Sequence, residues 1–393
     1  MTLLVTVTGR DAPGVTAALM DVLDGVGARV LDVEQVVVHG RLLLGIAVEG
    51  DGGAEPVAAA LAAGAAALGV DVELSPLPAR ERSVAGPRSH VVLLAPVLTP
   101  AALAGVARRL TSCGANIERI ARLSSRPAQS YELLVRGGDP GRLRRELAAE
   151  AVAQRIDVAV EGASLLRRGR RLVVLDVDST LVRGEVIEML AARAGCEPEV
   201  ARVTAAAMAG ELDFEASLRA RVALLAGLPV AEVEAVRAQV RLTPGARTLV
   251  RTLRRLGYAV GIVSGGFTAV TDDLVRELGL DHSRANVLEV EDGRLTGRLV
   301  GPVVDRAAKA AALREFAAAQ GLDLAQTVAV GDGANDLDML AAAGLGVAFN
   351  ATPVVREAAD AAISVPFLDA VLSLLGVPRE EVEAADAGSA REG

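Results

Sequence analysis

Residues 172–181 read LVVLDVDSTL. Four apolar residues, Leu172 to Leu175, have the length and composition of a short buried strand. The run stops at Asp176-Val177-Asp178-Ser179-Thr180, so two aspartates spaced two apart stand at the strand end. In an open parallel sheet, ligands bind beyond the carboxyl ends of the strands. Asp176 and Asp178 would suit a nucleophile and an acid/base there, or the start of a hard-metal site, because carboxylate oxygens suit Mg²⁺. They equally suit a plain helix start, since Asp, Ser and Thr are good caps.

The chain downstream weighs on this choice. Ala259 to Val263 is a second short apolar run, and it ends in Ser264-Gly265-Gly266. That places a hydroxyl beside two residues whose backbone N–H groups can approach an anion closely. Thr327 to Val330 is a third run, ending in Gly331-Asp332-Gly333-Ala334-Asn335-Asp336. Between them, 287–299 reads as a hairpin around Asp292-Gly293. Asp305 to Phe316 reads as a helix bearing Lys309, a retained lysine in a chain that uses Arg almost everywhere. From Val186 to about Gln239 strong helix formers dominate, so a helical insertion follows the first strand as a lid able to exclude water. If the sheet is parallel, the three strand ends and the lysine meet at one edge. They suit phosphoryl transfer, where catalysis is mostly positioning and charge neutralisation. On this reading Mg²⁺ held by Asp176 and Asp332 offsets the repulsion between an aspartate nucleophile and a phosphate. Lys309, Ser264 and the Gly265 amide hold phosphate oxygens, and Asp178 protonates the leaving alkoxide and then activates water.

DVDST, SGG, Lys309 and GDGAND, in this order over roughly residues 170–378, resemble the four signatures of the haloacid dehalogenase superfamily. Together with DVDSTLVRGEVIE, the stretch MAGELDFEASLRARVALL resembles the phosphoserine phosphatase family. The resemblance implies Mg²⁺-dependent hydrolysis of O-phospho-L-serine to L-serine and phosphate through an aspartyl-phosphate, the last step of phosphorylated serine synthesis. It implies that Glu185 binds the substrate ammonium, that Arg221 binds its carboxylate, and that Met208 and Phe214 close the lid. It further implies that Asp178 lends its backbone carbonyl to the metal alongside Asp176 and Asp332. Asn335 then joins the substrate-binding residues, Gly266 is a supporting residue, and Asp336 supports the metal shell and Lys309. Charge logic agrees: an ammonium, a carboxylate and a phosphate call for one anion, one guanidinium and a phosphate nest. The alternatives are a phosphotransferase, or a phosphatase acting on another small amino-acid-like phosphomonoester.

The chain before residue 160 repeats one pattern twice. Strands at 3–8, 28–39, 42–48 and 70–74 with helices at 15–23 and 54–68 give βαββαβ, and the order recurs between His90 and Val160. Gly27-Ala28-Arg29-Val30 and Gly114-Ala115-Asn116-Ile117 occupy matching places. Both units resemble ACT domains, amino-acid-sensing modules of metabolic enzymes. Gly9, Asp11, Pro13 and Gly14 match that family's ligand loop, whereas the second unit has Ala95-Pro96-Val97-Leu98-Thr99-Pro100 there. The resemblance implies a homodimer and a possible L-serine effector near Asp11 and Gly14, or units that serve dimerisation alone. The run ASLLRRGRR at 163–171 reads as a solvated linker.

Composition narrows the remaining classes. Aromatic residues are 2% and Trp is absent, so stacking platforms for nucleic acid are nearly lacking. The net charge of −9 argues against a nucleic-acid or acidic-membrane partner. Two cysteines, Cys113 and Cys196, are too few for a disulfide framework. The N-terminus lacks a basic signal region, and the chain reads as cytoplasmic. The expected class is α/β: two tandem ferredoxin-like ACT domains (1–80 and 81–163), then a Rossmann-like haloacid dehalogenase core (164–378). Its helical cap at about 183–245 is inserted after the first strand, and 379–393 is expected to be a flexible tail.

Overall fold

The structure, a computed structural model, describes residues 1–49, 54–77, 86–169, 171–208 and 211–392. The side chains of Leu165, Arg168, Met208 and residues 389–392 lie outside that description. The chain forms two compact units, Met1–Ser83 and Val84–Gly393.

The first unit runs β1 (Thr2–Arg10), α1 (Val15–Gly25), β2 (Arg29–Val38), β3 (Arg41–Glu49), α2 (Ala54–Leu68) and β4 (Val70–Pro76). Its antiparallel sheet has the order β2-β3-β1-β4. In β1 every second residue, Leu3, Val5 and Val7, is buried, which is the period of a half-covered strand. β2 behaves differently. It is an edge strand, and all ten of its residues are exposed, Val33, Val36 and Val37 among them.

The second unit opens with the same order: β5 (Arg88–Ala95), α3 (Pro100–Ser112), β6 (Ala115–Ser124), β7 (Gln129–Gly137), α4 (Pro140–Gln154) and β8 (Asp157–Gly162). Then come β9 (Leu172–Leu175) and four cap helices, α5 (Val186–Ala194), α6 (Glu197–Met208), α7 (Phe214–Ala223) and α8 (Val230–Gln239). The core resumes with α9 (Ala246–Arg255), β10 (Ala259–Phe267), α10 (Thr268–Leu278), β11 (His282–Glu291), β12 (Arg294–Val300) and α11 (Arg306–Ala319). It ends with β13 (Thr327–Gly331), α12 (Leu337–Ala342), β14 (Leu345–Phe349), α13 (Pro353–Ala358), β15 (Ala361–Ile363), α14 (Val371–Leu374) and α15 (Arg379–Glu392).

Eleven strands of this unit form one sheet, β12-β11-β10-β9-β13-β14-β15-β8-β5-β7-β6. The stretch from β10 to β15 is parallel, with β9 inside it between β10 and β13. Leu172 to Leu175 are all fully buried, which is why that strand reads as a continuous apolar run rather than an alternation. At the other end β15 meets β8 antiparallel through Ala361 and Ala159. The seam is closed by Asp157, which is 4% exposed. Its carboxylate accepts from the Ser364 N–H (2.7 Å), the Ser364 hydroxyl (2.9 Å) and Arg356 (3.2 Å).

Two sequence expectations are corrected. The segment expected as a flexible tail is the helix α15, with Val382 buried, Arg379 paired with Asp369, and Asp386 paired with Arg251 and Arg255. The basic run before β9 is not simply solvated: Arg167 bonds Glu132 and Glu161 at 2.8 Å each, and the buried Arg171 pairs with Glu161. Among the described residues no helix is long and apolar enough to cross a membrane.

Candidate active site

Asp176 caps the carboxyl end of β9, and its backbone N–H donates to Val330 O of β13 at 2.8 Å. On one side stands Lys309, from α11. Its ammonium is wholly buried and donates to Asp176 Oδ1 at 2.6 Å and to Asp336 Oδ1 at 2.7 Å. Asp336 Oδ2 in turn accepts from the N–H groups of Asp332 and Gly333 at 3.2 and 3.0 Å. Burial opposes the charge on Lys309, yet the two carboxylates more than offset it and raise its pKa. Burial and then the nearby Asp336 push the Asp176 carboxyl upward.

Asp178 faces away from this group. Its Oδ1 accepts from the Val186 N–H at 2.9 Å, and its Oδ2 accepts from the Ser264 hydroxyl at 3.0 Å. The Gly266 N–H closes the relay by donating to Ser264 Oγ at 2.7 Å. A Cβ on Gly266 would stand 2.7 Å from Asp178 Oδ2, so only glycine admits the acid this close. Burial raises the Asp178 pKa.

The cap closes the other side. Between Asp178 and Glu185 the chain turns sharply, with Ser179 in the left-handed region (φ 59°) and its hydroxyl donating to Glu185 Oε1 at 2.9 Å. Burial, then the charge of Asp178, lifts the Glu185 pKa to about 7. Arg221, near the end of α7, donates to Ser217 O at 3.4 Å. At the start of α7, Phe214 lies against Gly265: a Cβ there would touch its ring at 3.0 Å. The cavity they bound holds about 160 Å³. Asp176, Asp178, Glu185, Phe214, Arg221, Gly265, Gly266, Asp332 and Asn335 all line it. Ser264 and Lys309 sit behind that lining, both fully buried.

The sequence reading had not singled out several contributors. Ile187 and Leu218 give the cavity an apolar wall. The Thr180 hydroxyl donates to Asp332 Oδ1 at 2.8 Å. Asn286, 2% exposed, donates to Gly265 O and accepts from the Val304 N–H, both at 2.8 Å, so it braces the glycine loop against the approach to α11. An Asn inside a strand carries no local signal for such a brace. The side chain of Met208 lies outside the described residues. In the first unit Gly14 (φ 92°) precedes α1, and the exposed Asp11 donates its N–H to Gly40 O at 2.9 Å.

Carboxylate oxygens of Asp176, Asp332 and Asp336 lie within 4.8 Å of one another. One ammonium serves the three acids, pairing with Asp176 and Asp336, so full ionisation leaves two negative charges uncompensated. A hard divalent cation fits that donor set and that charge. Burial raises the Asp332 pKa to about 6 despite the Thr180 bond.

A buried strand presenting an aspartate pair, a glycine phosphate loop, a lysine bridge and a helical cap together define a haloacid dehalogenase-like hydrolase. The model of that family matches residues 173–341, and ACT domain models match 1–75 and 88–161. Among curated proteins, the phosphoserine phosphatase of Streptomyces coelicolor is 58% identical, covering 98% of this chain and 94% of its own. The phosphoserine phosphatase SerB2 of Mycobacterium tuberculosis is 52% identical over 99% and 96%. A solved phosphoserine phosphatase, a phospho-aspartyl intermediate analogue, superposes with a TM-score of 0.50 at 44% identity over 52% of this chain and 98% of its own. The chain belongs to the phosphoserine phosphatase family, in a form with two ACT domains ahead of the hydrolase.

Proposed function

We propose that the chain hydrolyses O-phospho-L-serine with Asp176 as nucleophile and Asp178 as acid/base. One observation carries this reading: one cavity of about 160 Å³ is lined both by Asp176, Asp178 and the Gly265 loop, from the core, and by Glu185 with Arg221, from the cap. The three charges of phosphoserine match those groups. Glu185 takes the ammonium, Arg221 the carboxylate, and Ser264, Gly265, Lys309 and Asn335 the phosphate. Phe214 covers them, supported by Gly266 and Asp336.

A carboxylate oxygen of Asp176 attacks phosphorus, the bond from phosphorus to the serine oxygen breaks, and Asp178 gives its proton to the leaving alkoxide. Burial supports that protonated state, and the Ser264 hydroxyl orients the carboxyl. Asp178, now a base, takes a proton from water, which attacks the phosphorus of the aspartyl-phosphate. Phosphate leaves and Asp176 is restored. Asp176 and Asp332, with the Asp178 carbonyl, would hold Mg²⁺, which supplies charge neutralisation for the phosphate. Lys309 stays protonated throughout and steadies Asp176 and Asp336.

The same reading gives the ACT units a role in assembly and regulation in the cytoplasm. The exposed apolar edge β2 supports pairing with a second copy of the chain, because an uncovered edge strand is a template for association. The loop at Asp11 and Gly14 supports an amino-acid effector, L-serine first. A phosphomonoester panel with and without Mg²⁺ tests the activity: phosphoserine should be preferred, and phosphate should appear free even with an added alcohol acceptor. A metal-independent rate, or transfer to the acceptor, would sink it. Asp11→Ala should relieve any non-competitive serine inhibition at unchanged kcat, and sedimentation of the chain as a monomer would remove the dimer.

A further inference from the structure

The cap joins the core through two crossings that zip together. The chain leaves at Val182 and Arg183 and returns at Arg241 to Thr243. Val182 bridges Leu242, the Arg183 N–H donates to Arg241 O (2.8 Å), and the Thr243 N–H donates to Leu181 O (2.9 Å). The Thr243 hydroxyl adds a third hydrogen bond, donating to Thr180 O at 2.7 Å. Thr180 is therefore held at its backbone by the base of the cap. Its own hydroxyl reaches the other way, to Asp332 Oδ1 at 2.8 Å, a partner 152 residues along the chain. Thr180 is 0% exposed and Thr243 8%, so neither bond is exchanged readily for water.

The bond to Asp332 has a specific consequence. The terminal torsion of an aspartate is broad, so a carboxylate on a loop has no preferred rotation until something fixes it. Thr180 can fix it, because its backbone is held by Thr243 and its hydroxyl reaches Oδ1 from that fixed point. With Oδ1 bound, Oδ2 is directed for a second partner. We propose that Thr180 is a positioning residue that sets the Asp332 carboxylate for a divalent cation and, through Thr243, couples that site to the base of the cap. This rests on the reading of Asp332 as a metal ligand. By linkage, a cation bound at Asp332 then favours the zipped crossing, and the zipped crossing favours the cation by the same factor.

The test is Mg²⁺ binding to the full chain without substrate, followed by calorimetry and by the Mg²⁺-induced rise in Tm. Thr180→Val should weaken Mg²⁺ by about 10-fold or more, and Thr180→Ser, which restores the hydroxyl, should stay within about 3-fold of the parent. Should the valine variant fold poorly, Thr180→Ala against Thr180→Ser makes the same comparison. Thr243→Val should weaken Mg²⁺ less than Thr180→Val, and the double variant should bind no worse than Thr180→Val alone, because both act through one hydroxyl. Wild-type affinity in Thr180→Val, or equal losses in the valine and serine variants, overturns the positioning role. Additive losses in the double variant overturn the coupling to the cap. Asp332→Ala separates the two readings: unchanged Mg²⁺ affinity there refutes the metal site itself, whereas its loss beside an unaffected Thr180→Val refutes only the role of Thr180.

Discussion

The two ends of the cavity are built on different principles. At the core end, every carboxylate already has a hydrogen-bonding partner in the protein: Lys309 bridges Asp176 and Asp336, Ser264 bridges Gly266 and Asp178, and Thr180 holds Asp332. These groups come off strand ends and a core helix, and Asp176, Ser264, Lys309 and Asp336 are almost wholly buried. At the cap end, Glu185 holds one bond from Ser179, Arg221 holds one long bond to Ser217 O, and both remain half-buried. The first end is preorganised in the way that lowers a barrier without reorganisation cost. On the proposed function, the second offers an anion and a cation to a zwitterion, and the substrate completes its pairing. Core variants should therefore strike kcat or the fold, and cap variants KM.

The sharpest way to break this contrast is at the nucleophile. Asp176→Asn should lower kcat by on the order of 10⁴-fold or more, since an amide is not a nucleophile. The protein should stay folded because Lys309 keeps Asp336 as a partner. A folded Asp176→Asn protein with near-parental turnover would end the assignment. Next in size is Lys309→Met. It leaves two buried carboxylates facing each other, a broken buried ion pair that costs about 3–5 kcal/mol. Chemical denaturation should show that loss, and Mg²⁺ should recover part of it. A variant as stable as the parent would mean that Lys309 is not holding the acids together.

Arg221→Ala probes the cap end. It should raise KM for phosphoserine by about 30-fold, the equivalent of about 2 kcal/mol for a lost charge-assisted contact, with kcat much less affected. An aryl phosphate lacks the carboxylate, so its KM should hardly move. Equal losses on both substrates would show that Arg221 serves the fold or the chemistry.

The core end was legible in the sequence because buried parallel strands are short apolar runs, and each announces its own end. DVDST, SGG and GDGAND follow such runs directly. Lys309 stood out for a related reason: it is the single lysine of the chain. What stayed illegible depends on contacts between distant residues. Thr180 and Asp332 meet across 152 positions, and the brace from Asn286 to Gly265 exists only once β10 and β11 are side by side. The tail looked disordered because its composition is acidic and small. Its helix is fixed by a buried Val382 and by arginines of α9, which no local pattern shows. The basic run before β9 misled in the same way, because its carboxylate partners lie on β7 and β8.

The subtlest difference between the two ends is in how Glu185 titrates. Its pKa is about 7, lifted first by burial and then by Asp178, so it loses its charge within the working range. Ammonium recognition needs the carboxylate. As pH falls through 7, KM for phosphoserine should therefore rise, toward the value of Glu185→Gln, whose KM should carry no such step. The phosphate also titrates, near pH 6, so the ratio of phosphoserine to aryl phosphate KM is the clean observable. Stability should move in the opposite sense to recognition. A carboxyl whose folded pKa lies above its unfolded value binds more protons when folded, so its ionisation costs stability as pH rises from about 4.5 to 7. Glu185→Gln removes that cost, and above pH 7 it should stabilise the protein by on the order of 1–3 kcal/mol, fading below pH 5. A variant that gains stability and loses phosphoserine affinity over the same pH window would identify Glu185 as a charge kept for the substrate against the preference of the fold. A KM ratio flat across pH 6 to 8 in the parent would show that the ammonium is bound elsewhere.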